Sequence, residues 1–191
     1  RDVEISKVEA AGGKELAGAK LTITDANGAT VESWTSGEAK ADRNEDGSAK
    51  AHKVKLTAGT YTLTEESAPE GYKTAESITF TVGVNGKVTV DGKEVDKVIM
   101  TDELAERDVE ISKVEAAGGK ELAGAKLTIT DESGKEIASW ISGKEKADQN
   151  EDGSAKAHKV KLTAGTYTLT EESAPEGYKT AESITFTVGV N

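Results

Sequence analysis

The chain has 191 residues, a net charge of −11 and no cysteine. The lack of cysteine excludes disulfide bonds, thiol chemistry and zinc–thiolate sites from this sequence. Acidic and basic residues are interspersed and no apolar run reaches about eighteen residues, so neither nucleic acid nor a membrane is expected as a partner.

Apolar and polar residues alternate along seven short segments in the first half of the chain. These segments are 2–8, 20–24, 52–56, 61–65, 77–82, 87–90 and 97–102. Alternation with a period of two is typical of β-strands that bury one face. Turn-forming pairs such as Asn27-Gly28 and Asn85-Gly86 separate the segments, and this spacing favours an antiparallel β-sandwich. Residues 102–108 are predicted to be the end of a strand followed by a short linker.

The first 85 residues recur as residues 107–191 with ten differences. All ten differences lie within residues 26–43 and their counterparts, 132–149. Each copy is long enough to bury a core of its own, so the sequence predicts two tandem domains, at 1–104 and 105–191. Residues 86–106 have no counterpart after the second copy. We therefore expect the second domain to lack its C-terminal strands and the chain to be an excerpt from a longer protein.

Strand alternation places three ionisable residues of the first copy on apolar, inward faces. They are Lys7, Glu65 and Asp102. An unpaired charge in an apolar interior is costly, so their position needs an explanation. One interpretation is a buried salt bridge or strand ends whose charged tips reach water. The other is chemical: burial leaves Lys7 a neutral nucleophile and Asp102 a protonated acid, and an amide forms between them while Glu65 moves the protons.

Motifs through both copies resemble the collagen-adhesin B-type (Cna-B) domains of Gram-positive surface proteins, and in particular the isopeptide-forming domain of a fibronectin-binding protein. The motifs are Ile5-Ser6-Lys7, residues 13–19, residues 59–65 leading into Ala68-Pro69-Glu70-Gly71-Tyr72, residues 78–82 and residues 98–102. The resemblance implies tandem prealbumin-like (Ig-like) β-sandwich domains in an extracellular, cell-wall-anchored adhesin or pilin. It also implies an intramolecular isopeptide bond, with Lys7 as the amine, Asp102 as the carboxyl partner and Glu65 as the catalytic acid.

The second copy has Lys113 and Glu171 at the positions of Lys7 and Glu65. The aspartate that would complete the set lies beyond Asn191, so we expect no bond within this copy. A sandwich without its last strand exposes an unpaired edge that can accept a strand. Strand exchange, with residues 87–103 of a neighbouring chain as the donor, is therefore an alternative to simple truncation.

A structural stalk is the preferred function. It would resist shear and proteolysis through the cross-link, without enzymatic turnover and without a cofactor. The chain is expected to be a monomer whose partners are neighbouring repeats, while other domains of the protein would contact host matrix proteins. The alternative function is an adhesive module that binds a host matrix protein or glycan through residues 26–43 and 132–149.

Two turns have the opening pattern of a calcium loop. The candidate ligands are Asp42, Asn44 and Asp46, with Asp148, Asn150 and Asp152 in the second copy. The twelfth position is a lysine instead of a glutamate, so an ordinary hairpin turn is the preferred interpretation. His52 and His158 are interpreted as structural because neither copy has a second histidine, and Trp34 and Trp140 as packing residues.

Overall fold

The computed structural model describes residues 1–190, which form two compact units at Arg1–Ala105 and Glu106–Val190. Both units consist of β-strands, which confirms the all-β class. Within residues 1–190, helical turns occur only as short 3-10 segments at Lys40–Asp42 and Lys146–Asp148. None of the helices described is long and apolar enough to cross a lipid bilayer.

The first unit is a sandwich of two sheets. Its strands are β1 (Asp2–Glu9), β2 (Lys20–Asp25), β3 (Thr30–Thr35), β4 (His52–Lys55), β5 (Gly59–Ser67), β6 (Ile78–Val82), β7 (Val88–Val90), β8 (Lys93–Val95) and β9 (Lys97–Asp102). One sheet has the order β3-β2-β5-β6-β7-β8 and the other the order β4-β1-β9. Apolar side chains from the inner faces of both sheets pack into one core. The alternation in the sequence is therefore the alternation between core and solvent.

Strands β1 and β9 pair in parallel, whereas the other strand pairs of this unit are antiparallel. In their register Lys7 lies opposite Met100, and Glu9 lies opposite Asp102. Inward-facing residues of neighbouring strands lie side by side. The parallel pairing therefore places the inward side chains of Lys7 and Asp102 close to one another at the same end of the core.

The sequence pattern did not predict strands β3 and β8. Strand β3 is at the edge of its sheet and leaves Val31 exposed, and β8 has only three residues, so neither presents a buried alternating face. The linker is also shorter than predicted. The next strand, β10, begins at Glu106 because residues 106–108 pair with residues 161–163, which leaves residues 103–105 between the units' strands.

The second unit repeats most of the first. Its strands are β10 (Glu106–Ile111), β11 (Lys126–Asp131), β12 (Glu136–Ile141), β13 (His158–Thr163), β14 (Gly165–Ser173) and β15 (Ile184–Val188). They form the sheets β12-β11-β14-β15 and β10-β13, with an apolar core between them. Strand β10 ends at Ile111, although its counterpart β1 continues to the equivalent of Glu115. In β1 this second half pairs with β9, for which residues 106–190 contain no equivalent.

Candidate functional site

The side chains of Lys7, Glu65 and Asp102 meet in the core of the first unit. They come from β1, β5 and β9, and each residue is at most 4% exposed. Nζ of Lys7 lies 3.1 Å from Oε1 of Glu65 and is in contact with Oδ1 of Asp102. The structure thus brings together the three residues that strand alternation placed on inward faces.

The surroundings of Asp102 make its protonated form easier to reach than that of an exposed aspartate. Burial raises the pKa of Asp102 to about 6; Lys7 opposes this rise, and the negative charge of Glu65 adds to it. Oδ2 of Asp102 is buried and has no hydrogen-bond partner among the described residues. A protonated carboxyl is the form that an amine can attack, so an amine, an electrophile and a second carboxyl able to carry a proton lie in contact.

Two hydrogen bonds orient the amine strand and the glutamate. The backbone N–H of Ala75 donates to Oε2 of Glu65 at 2.7 Å, which leaves Oε1 facing Lys7. The backbone N–H of Lys7 donates to Oε2 of Glu15 at 3.1 Å. Sequence reasoning missed both contacts. Ala75 contributes only a backbone group from an irregular segment, so no pattern of side chains signals its role.

The second unit contains the same arrangement without the acid partner. Nζ of Lys113 lies 3.2 Å from Oε1 of Glu171, and the N–H of Ala181 donates to Oε2 of Glu171 at 2.6 Å. The Lys113 side chain is 18% exposed, against 1% for Lys7. The pair lines a cavity of about 190 Å³ whose other walls include Leu127 and Ile184. The amine and the glutamate are therefore positioned without the strand that would carry the carboxyl.

The candidate calcium ligands do not converge on a common point. Oδ2 of Asp42 lies 2.8 Å from Nδ1 of His52, while Oδ1 of Asp46 accepts hydrogen bonds from the backbone and hydroxyl of Ser48. Asn44 donates to the Ser48 hydroxyl. The counterparts of these contacts recur at Asp148, Asn150 and Asp152. Over residues 1–190, no group of three or more His, Asp or Glu side chains is arranged to hold a metal ion.

The histidine and tryptophan of each unit stack on one another. The rings of Trp34 and His52 are 4.3 Å apart between centroids, and those of Trp140 and His158 are 4.2 Å apart. Trp34 belongs to edge strand β3 and His52 to β4, so the stacked pair joins the two sheets along one side of the sandwich. This contact gives both residues a packing role.

Comparison with known proteins identifies related domains. A family model described as the SpaA prealbumin-like fold domain matches residues 1–96 and again residues 107–191, which confirms the expected fold. The chain is similar to the TIE protein of Bacillus anthracis, with 32% identity, coverage of 97% of this chain and 31% of that chain, and a TM-score of 0.47.

Structures from pili are similar at lower identity. The pilus adhesin SpaC of Lactobacillus rhamnosus GG has 18% identity, coverage of 99% of this chain and 26% of that chain, and a TM-score of 0.41. The shaft pilin SpaA of the same organism has 16% identity, coverage of 100% and 94%, and a TM-score of 0.39. The chain thus spans less than a third of the length of the TIE protein and of SpaC. No protein with a curated description is similar enough to be matched.

Proposed function

Because the chain belongs to the SpaA prealbumin-like fold domain family and carries two copies of the domain, we propose that it forms part of the stalk of a Gram-positive cell-surface adhesin or pilin. Its partners are neighbouring repeats of the same extracellular, cell-wall-anchored protein. The first unit is strengthened by an isopeptide bond between Lys7 and Asp102 that forms once and without turnover. The observation that carries this proposal is the contact of the Lys7 amine with the Asp102 carboxyl in a buried site beside Glu65.

The bond forms by condensation of the two side chains. Nζ of Lys7, as a neutral amine, attacks the carboxyl carbon of protonated Asp102 and forms an N–C bond. Glu65 takes a proton from the nitrogen and delivers one to the departing hydroxyl, so a C–O bond breaks and one water leaves. Folding supplies the driving geometry because it holds the amine and the acid together in a site sheltered from water.

The consequence of the bond is mechanical. It joins β1, near the start of the unit, to β9, near its end, across 95 positions of sequence. By analogy with a disulfide that closes a loop of about 100 residues, the unfolded chain loses entropy equivalent to about 4.7 kcal/mol. An amide resists reductants, which suits a chain without cysteine. Tension applied at the ends of the unit passes through the bond and bypasses the residues between.

Intact mass spectrometry tests the cross-link. We expect the wild-type chain to lack the mass of one water, and the variants Lys7→Ala, Glu65→Gln and Asp102→Ala to lack none. Lys53→Ala is the matched control, because Lys53 is an exposed lysine paired with Glu4 on the surface. It should lose one water like the wild type. A wild-type chain of full mass would refute the cross-link.

For the second unit we propose that its open edge accepts a strand equivalent to β9, with residues 87–103 of a neighbouring chain as one source. The support for this is the cavity beside Lys113 and Glu171 and the early end of β10. An unpaired strand edge next to an apolar groove is the setting in which proteins add a strand from another chain. Strand exchange of this kind would link stalk segments to one another.

An adhesive role for residues 26–43 and 132–149 remains a second candidate. It is favoured by the confinement of all ten differences to these segments and by the exposure of Val31 and Ile137 within them. Binding of the chain to immobilised matrix proteins or glycans tests it. Binding that is altered when residues 26–43 are replaced by 132–149 supports adhesion, and a lack of binding supports the stalk.

A further inference from the structure

An irregular segment of the first unit, residues 71–75, is hydrogen-bonded to Glu65 and to the residues that follow Asp102. We call this segment the strap. Two backbone hydrogen bonds of 2.8 and 2.9 Å join it to residues 103–105. At its far end the N–H of Ala75 donates to Oε2 of Glu65. The position of the strap therefore determines how the Glu65 carboxyl is held.

Tyr72 connects the strap to the first strand. Its hydroxyl donates to Oε2 of Glu9 at 3.1 Å. Glu9 is the last residue of β1, two positions after Lys7, and it lies opposite Asp102 in the β1–β9 register. Burial raises the pKa of Tyr72, as do its hydrogen bond to Glu9 and the charges of Glu9 and Asp102. The phenol is therefore protonated at neutral pH and acts as a donor.

The second unit shows the tyrosine–glutamate contact without the backbone hydrogen bonds to the residues after the last strand. The hydroxyl of Tyr178 donates to Oε2 of Glu115 at 3.1 Å, and the N–H of Ala181 still donates to Glu171. The described part of this unit has no equivalent of residues 103–105. The tyrosine contact and the hydrogen bond to the glutamate thus occur together even where the backbone ties to the last strand are missing.

We propose that Tyr72 is a positioning residue for the cross-link, which tethers the strap to Glu9 so that the Ala75 N–H holds Glu65 with Oε1 towards the Lys7 amine. This role rests on the proposed isopeptide bond and goes beyond the three residues that react or carry protons. Tyr72 touches neither reacting atom and acts through the strap. Without its hydroxyl the strap keeps its backbone ties, but the end next to β1 is free to shift.

The test measures the rate of water loss after folding. The chain is recovered in denaturant, and its mass at time zero is checked to show that no water has been lost. It is then diluted into buffer and sampled over time by intact mass spectrometry. We expect Tyr72→Phe and Glu9→Ala each to slow bond formation roughly ten- to a hundredfold, since small misplacements of a catalytic group have effects of this size. Glu9→Gln keeps an acceptor oxygen and should restore most of the rate. The double variant Tyr72→Phe/Glu9→Ala should be no slower than either single variant.

Tyr61→Phe is the matched control, because Tyr61 is a buried tyrosine whose hydroxyl donates to the Thr57 carbonyl instead of to the strap. Equal rates for Tyr72→Phe and Tyr61→Phe would overturn the positioning role while leaving the cross-link intact. If the wild type lost no water, the cross-link itself would fail. Thermal unfolding of Tyr72→Phe in a Lys7→Met background, where no bond can form, measures any purely structural effect. Glu9→Ala keeps the test valid if Tyr72→Phe does not fold.

Discussion

Lys7 is a fully buried lysine whose amine is surrounded by two acidic side chains. At the scale of these residues, a buried ion pair contributes little net stability, because desolvation offsets most of the Coulombic attraction. Burial is the main cause of the raised pKa of Asp102, and the negative charge of Glu65 adds to it. Amide formation removes the charges of the amine and of Asp102 together. Condensation therefore replaces the buried pair with a neutral amide and leaves Glu65 as the one ionisable side chain of the cluster.

The pKa of Asp102 gives the proposed reaction a defined pH dependence. The reactive form is a neutral amine beside a protonated acid, and it holds as many protons as the ammonium–carboxylate pair. The fraction of chains in the reactive form therefore does not change with pH as long as the two groups together hold that number of protons. Below the raised pKa of Asp102, about 6, the pair holds one proton more than the reactive form. We expect bond formation to be nearly constant just above this pH and to slow up to about tenfold per pH unit below it.

Water loss after refolding into buffers of different pH measures this dependence. Circular dichroism at each pH verifies that the chain is folded before the rates are compared. A rate that increases steadily as the pH falls through the pKa of Asp102 would contradict the proposed proton count.

Sequence alternation was sufficient to place Lys7, Glu65 and Asp102, because each lies within a strand whose inward neighbours are apolar. It could not predict the contribution of Ala75, which is a backbone N–H. It also could not predict that Tyr72 contacts Glu9, because these residues are 63 positions apart and meet only through the fold. The residues proposed to react can be recognised in the sequence because they are charged residues at apolar positions of the strand pattern. The residues that position them cannot, because their contacts form only in the folded domain.

At the scale of elements, the two copies show that strand length depends on the partner strand. Residues 6–9 and 112–115 have the same sequence, yet the first set is part of β1 and the second lies outside β10. The exposed fraction rises from 7% at Val8 to 42% at Val114. Local sequence was therefore enough to predict most strands but not their ends, since pairing with β9 determines whether residues 6–9 are extended.

A peptide that supplies the missing elements should complete the second unit. We expect a peptide of residues 86–106, which contains β7, β8 and β9, to pair with the full-length chain and to react with Lys113. The chain should gain the mass of the peptide less one water. The amides of Lys113 and Glu115 already donate to Glu121 and Lys120. Hydrogen exchange should therefore slow at the amides of Ser112 and Val114 as these residues enter a strand and gain partners.

Matched variants separate pairing from chemistry. The same peptide with Asp102→Ala should slow hydrogen exchange within residues 112–115 without forming a covalent product. The chain variant Lys113→Ala should give the same two results with the unchanged peptide. If neither peptide altered exchange at residues 112–115, the open edge would not be a strand acceptor.

At the scale of the whole molecule, the described residues of the two units differ at the equivalent site. The first contains an amine and an acid in contact near its two ends, while in the second the described residues contain the amine and the glutamate alone. Because β1 and β9 lie side by side in the first unit, a bond between them needs no change of topology.

Stretching a single chain by its termini measures this difference directly. If Lys7 and Asp102 are joined, the 95 positions between them cannot lengthen under force. The wild-type chain should then extend about 300 Å less than the Lys7→Met variant, because an extended chain spans roughly 3.3–3.6 Å per residue. Methionine has a similar size to lysine but lacks the amine, so it removes the bond with little change in packing. The second unit is an internal control that should lengthen fully in both chains, and equal total extension of the two chains would show that the first unit carries no tie.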